Sequence, residues 1–258
     1  MALGVPALPL TYVAHVLALV ASILVVLWVL NFRGGLAWDS DNKALIFNVF
    51  SLSTPFSFLL NANSYLQILK IRPSILHPVL IVIGLLVLGG EAIISYKALP
   101  LKKEVKKLIH LVFHAIALIL GIVGIYTAFK YHNESGIANL YSLHSWLGIG
   151  VIVLYGIQWI YGFVIFFFPG GTPDIRRASL PWHALFGLFV FVLAVGTAAL
   201  GFLEKLTFLE NSGLDKYGSE ALLVNFTAII TVLFGAFVVL SALADAPPAP
   251  AADDYEAI

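Results

Sequence analysis

Residues 77–96 read HPVLIVIGLLVLGGEAIISY, in which a histidine precedes an apolar run that contains a single acid, Glu91. A helix needs about 20 mainly apolar residues to cross the hydrocarbon core of a bilayer, and this run has that length. Lipid cannot satisfy open backbone groups, so we expect the run to be helical. Five more runs have a similar length: 12–30, 108–129, 143–168, 182–202 and 222–243. The sequence therefore predicts an all-α fold, a six-helix transmembrane bundle.

The composition of the whole chain agrees with this architecture. Of the 258 residues, 60% are hydrophobic and 11% are charged, which is typical of multi-pass membrane proteins. The formal net charge is zero, so no basic field predicts nucleic-acid binding. The absence of cysteine excludes disulfides and thiolate metal sites, and the one methionine is Met1. An axial ligand to iron would therefore be histidine or tyrosine.

The charges between the runs predict the orientation of the bundle. Residues 97–107, KALPLKKEVKK, contain five lysines and one glutamate, and the connection after the fourth run contains Arg176 and Arg177. The positive-inside rule places these connections in the cytosol, and both termini with them. Residues 245–258 are rich in proline, alanine and acids, so we expect a disordered cytosolic tail.

Four histidines lie near the starts of consecutive runs: His77, His110, His144 and His183. Successive helices enter from opposite faces, so His77 and His144 are predicted at the outer face and the other two at the cytosolic face. Two facing imidazoles inside a helix bundle are a ligand set for haem iron. A lone histidine at a helix end is usually a packing residue, but four in alternating register favour two haem or metal sites. Zinc or copper is the alternative to haem.

The remaining histidines have different predicted roles. His114 lies one turn from His110 on the same helix face and competes with it as a ligand. His15 has no obvious partner, and we interpret it as structural. A connection on the outer side contains polar residues that we expect to line an acceptor pocket beside His144: His132, Asn139, Tyr141 and Ser142.

Cations precede His110 at the cytosolic side: Lys102, Lys103, Lys106 and Lys107. If the helix extends back that far, the last three lie on the His110 face. They are predicted to attract a small anion that donates electrons, with Arg176 or Arg177 binding its oxygens. The alternative is that these cations only set the topology and contact anionic lipid.

Glu91 follows His77 by 14 residues, about 21 Å along a helix axis. That depth brings it towards the cytosolic histidine pair, where it would relay a proton or bond a ligand imidazole. A hydrogen bond between two helices is the simpler interpretation.

Six stretches carry a family resemblance: RGGLAWDSDNKALIFNV (33–49), HPVLIVIGLLVLGGEAIISYK (77–97), KKLIHL (106–111), YSLHSWLG (141–148), FFPGG (167–171) and PWHALFG (181–187). With them the chain resembles the cytochrome b-561 family, the ascorbate-dependent transmembrane electron carriers, and specifically its plant branch. The resemblance implies two b-type haems, one held by His77 with His144 and the other by His110 with His183. It therefore favours His110 over His114.

The resemblance also implies the donor, the acceptor and the assembly. Cytosolic ascorbate would donate electrons, and monodehydroascorbate or a ferric chelate would accept them on the other side of the membrane. A homodimer is implied, and we expect a vacuolar or other endomembrane location. A transporter that moves metal ions or protons with the same histidines, without haem, is the alternative.

One segment departs from the family pattern. The family reads Asn-Val-His-Pro without interruption, but here residues 50–76 separate Val49 from His77. We interpret these residues as an atypical insertion, translated intron sequence or a gene-model error, within an electron-transfer domain over residues 1–244.

Overall fold

The computed structural model describes residues 4–32 and 77–245, and this part of the chain is helical. It contains six helices that are long and apolar enough to cross a membrane, which confirms the predicted all-α class. They are α1 (Ala7–Phe32), α2 (His77–Ala98), α3 (Lys103–Ser135), α4 (Leu143–Phe166), α5 (Pro173–Asn211) and α6 (Ser219–Leu243). The interpretations of residues 50–76 as an insertion and of residues 246–258 as a tail lie outside the described residues.

The helices extend beyond the apolar runs. α5 begins at Pro173, where Thr172 caps it by accepting a hydrogen bond from the Ile175 backbone N–H. Apolar composition marks only the part of a helix that contacts lipid, whereas Glu, Lys, Arg and Leu favour a helix in water as well. Charged and polar residues outside the predicted runs therefore lie in helix ends: Lys130, His132, Glu134, Arg176, Arg177, Glu204, Lys205 and Glu210.

The second helix contains a local irregularity. Leu80–Val87 is π-helical and lies between two α-helical stretches of α2. Its residues are all apolar or glycine, so no periodicity in the sequence marked the change. Such π-helical segments are frequent at functional sites.

Helix α1 packs along α6, while α2 packs on α3 and α4 on α5. Phe234 of α6 is fully buried, and it lies so close to α2 that a Cβ at Gly90 would come within 2.5 Å of its ring. Trp28 of α1 donates a hydrogen bond of 2.9 Å from Nε1 to Glu220, a buried acid of α6. Helix α6 therefore packs against α1 on one side and against α2 on the other.

One end of the bundle brings the two ends of the described chain together. The Ala7 N–H donates to the Asp245 carbonyl (3.0 Å), and the Asp245 N–H donates to the Val5 carbonyl (2.9 Å). Lys97 at the end of α2 donates to the Ala242 carbonyl of α6 (2.7 Å). Because Lys102–Lys107 follow directly, we call this the lysine end, and the other the distal end.

Candidate functional site

The four predicted histidines form two pairs, one towards each end of the bundle. The rings of His77 and His144 lie edge to face near the distal end, with their centroids 5.9 Å apart. The rings of His110 and His183 do so near the lysine end, at 6.2 Å. A bond from imidazole nitrogen to a first-row metal is about 2.0–2.1 Å long. The two rings of each pair are therefore close enough to bind one metal ion between them.

Helices α2 and α3 hold their histidines reciprocally. His77 Nδ1 lies 3.0 Å from the Gly124 carbonyl of α3, and His110 Nδ1 lies 2.9 Å from the Ala92 carbonyl of α2. A carbonyl can only accept, so each Nδ1 carries the proton and each Nε2 keeps its lone pair. This second contact fixes the tautomer of metal-binding histidines generally. Each histidine lies about 14–15 residues from the carbonyl on its own helix, which separates the two tiers by about 20 Å.

Helices α4 and α5 repeat this arrangement with one difference. His144 Nδ1 donates to the Thr197 carbonyl of α5 (2.9 Å). His183 contacts a side chain instead, because Gln158 Nε2 lies 2.9 Å from its Nδ1 and 2.7 Å from its carbonyl oxygen. Gln158 is an amide within an apolar run, and we assigned it no role from the sequence.

Two glycines let the imidazoles approach the neighbouring helix. A Cβ at Gly201 would lie 2.7 Å from His144 Cε1, and a Cβ at Gly162 would lie 2.9 Å from His183 Cε1. Each glycine lies four residues, one turn, after the residue that bonds the same imidazole, Thr197 or Gln158. Both imidazoles are therefore positioned by one face of the helix opposite.

A cavity of about 650 Å³ surrounds the distal pair and contains the predicted acceptor residues in its lining. His132 lies in the last turn of α3, so its assignment to a connection was wrong. Its ring centroid is 6.3 Å from that of Tyr141. Asn139 donates to the Asn133 side chain (2.7 Å). The predicted residues are thus brought together at the mouth of one cavity.

Glu204 belongs to the same region, although sequence reasoning assigned it to a connection and gave it no role. Its carboxylate accepts hydrogen bonds from the Ser142 hydroxyl (2.9 Å) and the Tyr141 hydroxyl (3.3 Å). Partial burial raises the pKa of Tyr141, and the charge of Glu204 and this hydrogen bond raise it further. Tyr141 therefore keeps its proton and remains a donor at neutral pH.

The cations at the lysine end lie near the other pair. Helix α3 begins at Lys103, so the predicted helical extension before His110 is present. Lys103 and Arg176 each precede a paired histidine by seven residues, about 10 Å along their helices. Arg177 forms an exposed ion pair with Asp174 (3.5 Å).

Individual cations differ in how they are held. Lys106 donates to the Tyr96 carbonyl (3.1 Å), and Arg176 Nε donates to the Gly171 carbonyl (2.7 Å). Lys102 and Lys103 are exposed and Lys107 is half-buried, all at the start of α3.

Two other histidines have partners that the sequence did not identify. His15 had no obvious partner in the sequence, but its Nδ1 lies 2.9 Å from one carboxylate oxygen of Glu91 and 2.8 Å from the other. Glu91 thus bonds a histidine of α1, while its neighbour Ala92 accepts from His110. His114 Nδ1 lies 2.5 Å from the Tyr155 hydroxyl, with its ring 4.4 Å from that of His110.

The ligand geometry favours haem over a bare metal ion. Among residues 4–32 and 77–245, no three or more His, Asp or Glu side chains are grouped so that they could hold a metal ion. Zinc takes four protein ligands at structural sites and three at catalytic sites. Haem iron needs only axial protein ligands, because the macrocycle supplies the others. The paired imidazoles, three of which have Nδ1 bonded to a backbone carbonyl, and the cavity at the distal pair fit that requirement.

Comparison with known proteins gives concordant matches. The family model described as eukaryotic cytochrome b561 matches residues 76–209. The chain is 62% identical over 245 residues to transmembrane ascorbate ferrireductase 1 of Arabidopsis thaliana, covering 95% of this chain and 91% of that protein. It is 59% identical over 243 residues to ascorbate-specific transmembrane electron transporter 2 of Zea mays, covering 94% and 92%. It is 37% identical over 212 residues to the transmembrane ascorbate-dependent reductase of Sus scrofa, covering 82% and 72%.

Proposed function

The chain belongs to the eukaryotic cytochrome b561 family, and we propose that it is an oxidoreductase that transfers electrons across a membrane from ascorbate. The donor side is the lysine end, which we place in the cytosol together with both termini. The acceptor at the distal end is monodehydroascorbate or a ferric chelate. The observation that carries this proposal is the two histidine pairs, one at each end of the bundle.

His77 with His144, and His110 with His183, would each hold one haem b. Two haems would supply the one-electron chemistry between donor and acceptor. The backbone carbonyls of Gly124, Ala92 and Thr197 orient three of the four imidazoles. Because two histidines would hold each haem, the sites would favour electron transfer over oxygen binding.

At the lysine end, the chain's own residues would attract and orient ascorbate. Lys102, Lys103 and Lys107 supply positive charge at the start of α3, and Arg176 adds a planar fork for oxygen atoms at the start of α5. Ascorbate gives up one electron and one proton, and the proton leaves to solvent. A proton relay through Glu91 is less well supported, because its carboxylate contacts His15 and not a paired imidazole.

At the distal end, His132, Asn139 and Tyr141 would bind the acceptor beside the His77–His144 pair. A ferric chelate takes up one electron there, whereas monodehydroascorbate takes up one electron and one proton. The Tyr141 hydroxyl donates its one proton to Glu204, so Tyr141 would contribute its ring and its oxygen lone pairs to acceptor binding.

Reconstituted vesicles test the proposal directly. Purified protein is inserted into vesicles that contain ascorbate, and a ferric chelate or monodehydroascorbate is added outside. We expect acceptor reduction outside and a reduced haem spectrum, neither of which protein-free vesicles show. A colourless preparation from haem-replete cells would overturn the proposal and leave the haem-free transporter as the better explanation.

Histidine variants test the pairing. His110→Ala and His144→Ala should each remove a different haem, seen as loss of one of two spectral and potentiometric components. Equal loss of both components from either variant would contradict the pairing, though not haem binding.

Three further proposals come from the sequence and the family. We propose a homodimer, which mass determination of the detergent-solubilised protein would test. We also propose an endomembrane location, which imaging of the tagged protein would test. Residues 50–76 would be translated intron sequence or a gene-model error, so the mature transcript should lack them.

A further inference from the structure

We propose that Glu204 is a positioning residue that holds the acceptor-binding surface in a fixed relation to His144. The inference rests on the proposed function, because it assumes that an acceptor binds at the distal end. The carboxylate of Glu204 accepts from two consecutive residues, Ser142 (2.9 Å) and Tyr141 (3.3 Å). These two partners have different tasks, so one side chain links two parts of the site.

The first partner begins the helix that carries His144. Ser142 is the N-cap of α4, and its Oγ accepts a hydrogen bond from the Ser145 N–H (3.3 Å). A hydroxyl has one proton and two lone pairs. A carboxylate can only accept, so in its contact with Glu204 (2.9 Å) the Ser142 hydroxyl is the donor. The carboxylate thus fixes the Ser142 rotamer that leaves a lone pair for the cap.

The second partner forms part of the cavity wall. Tyr141 is 51% exposed, and its ring is 6.3 Å from that of His132, the other aromatic group predicted to touch the acceptor. A half-exposed tyrosine without a partner would sample several rotamers. The hydrogen bond to Glu204 restricts the ring to one position at the cavity mouth.

Glu204 also continues a row of contacts on α5. Thr197, Gly201 and Glu204 are spaced by four and three residues, so they lie on one helix face. The Thr197 carbonyl accepts from the His144 imidazole, and Gly201 leaves room for that ring. Glu204 adds a third contact, through Ser142 at the start of α4, the helix that contains His144. One face of α5 therefore positions both the imidazole and the start of its helix.

The test compares Glu204→Gln with Glu210→Gln, a matched control six residues later on the same helix. Full-length, haem-loaded protein is assayed in vesicles with ascorbate inside and ferric citrate outside. Glu204→Gln replaces the carboxylate that accepts from Ser142 and Tyr141 with a neutral amide, which should weaken both hydrogen bonds. We therefore expect the KM for ferric citrate to rise about tenfold. The KM for ascorbate should not change, and Glu210→Gln should match the wild type in both constants.

A second readout does not depend on turnover. Amide hydrogen exchange at Ser145 should become about tenfold faster in Glu204→Gln, because the cap opens more often. Ser142→Ala should reproduce this faster exchange, and Tyr141→Phe should reproduce the higher KM. Each effect should be non-additive with Glu204→Gln, since the members of each pair act through one contact. If Glu204→Gln does not fold, Ser142→Ala still tests the effect on the helix cap, and Tyr141→Phe still tests the effect on the KM for ferric citrate.

The outcomes distinguish the inference from the proposed function. Wild-type exchange and wild-type KM in Glu204→Gln would overturn the role of Glu204 while leaving electron transfer intact. Equal increases in both KM values would also overturn it, because they would indicate general destabilisation. If the wild-type protein reduces no acceptor, the proposed function fails, and unchanged Ser145 exchange would then reject the positioning role independently.

Discussion

Gln158 contacts His183 at the place where a backbone carbonyl contacts each of the other three paired imidazoles. Its Nε2 lies 2.9 Å from His183 Nδ1, so the amide donates and the imidazole proton is at Nε2. An imidazole that binds iron through Nε2 needs its proton at Nδ1 instead. Binding at this histidine therefore requires the contact between Gln158 and Nδ1 to rearrange, while Gln158 Nε2 also donates to the His183 carbonyl (2.7 Å). Of the four imidazoles, His183 is the one whose tautomer depends on a side chain.

Substitution of Gln158 should affect only the haem at the lysine end. Removing an outer-shell partner of a ligand histidine typically weakens binding about 10- to 100-fold, so Gln158→Leu should lower haem affinity there. Gln158→Glu should instead strengthen the acceptor for Nδ1–H, make the imidazole more basic and lower the reduction potential. Haem titration and potentiometry measure both effects.

The haem proposed at the distal end serves as the internal control, because Thr197 and not Gln158 contacts its proposed ligand His144. Equal shifts of both haem components in Gln158→Leu would contradict this assignment.

The two glycines opposite the imidazoles give a second prediction. Gly201→Ala should displace the His144 ring, and Gly162→Ala should displace that of His183, because each new methyl group would approach within 3 Å. We expect each variant to lose most of one haem and keep the other. Absorbance of the haem relative to protein, with redox titration to identify the lost component, measures this.

Glycines on the same helices provide matched controls. A Cβ at Gly196 of α5 or Gly156 of α4 would meet no atom within 4 Å. Alanine there should leave haem content unchanged and raise helix stability by about 0.5–1 kcal/mol. Equal haem loss in the control variants would show that the methyl groups act through the helices and not through the imidazoles.

The architecture was predictable from the sequence because it depends on length and order alone. Apolar runs of about 20 residues fix the number of helices. Alternation of direction then decides which histidines share an end, so the pairing of His77 with His144 follows without any knowledge of packing. The ends of the helices were harder to predict, because charged helix formers such as Glu204 extend a helix beyond its apolar run.

The partners of the histidines could not be predicted, because they depend on how each helix is rotated about its axis. Most spans are apolar on every side, so no polar face indicates which side meets a neighbour. His15 and Glu91 are 76 residues apart, and Gln158 and His183 are 25 apart. Polar residues inside apolar runs, such as Gln158, were the one available signal, because a buried amide needs a partner.

Because Glu91 contacts His15, substitution of Glu91 should change the stability of the protein and not the rate of electron transfer. Glu91→Gln keeps an oxygen that accepts from His15 and should leave the rate of ascorbate-driven electron transfer within about twofold of the wild type. Glu91→Ala removes the contact and should lower the free energy of unfolding by about 1 kcal/mol, at the low end because His15 is 42% exposed. Thermal unfolding in detergent and vesicle assays give the two quantities. A rate loss in Glu91→Gln of tenfold or more would restore the proton relay.

Neutralising lysines at the lysine end should weaken binding of the electron donor and not binding of the acceptor. Lys103→Gln with Lys107→Gln removes two positive charges from the start of α3, and we expect the KM for ascorbate to rise about tenfold at low salt. Because charges at the protein surface are screened over about 8–10 Å at 0.1–0.15 M salt, the difference from the wild type should shrink as salt is added. Lys216→Gln in the connection after α5, at the distal end, is the control and should leave this KM unchanged. An unchanged KM in the double variant would assign these lysines to topology and lipid contact alone.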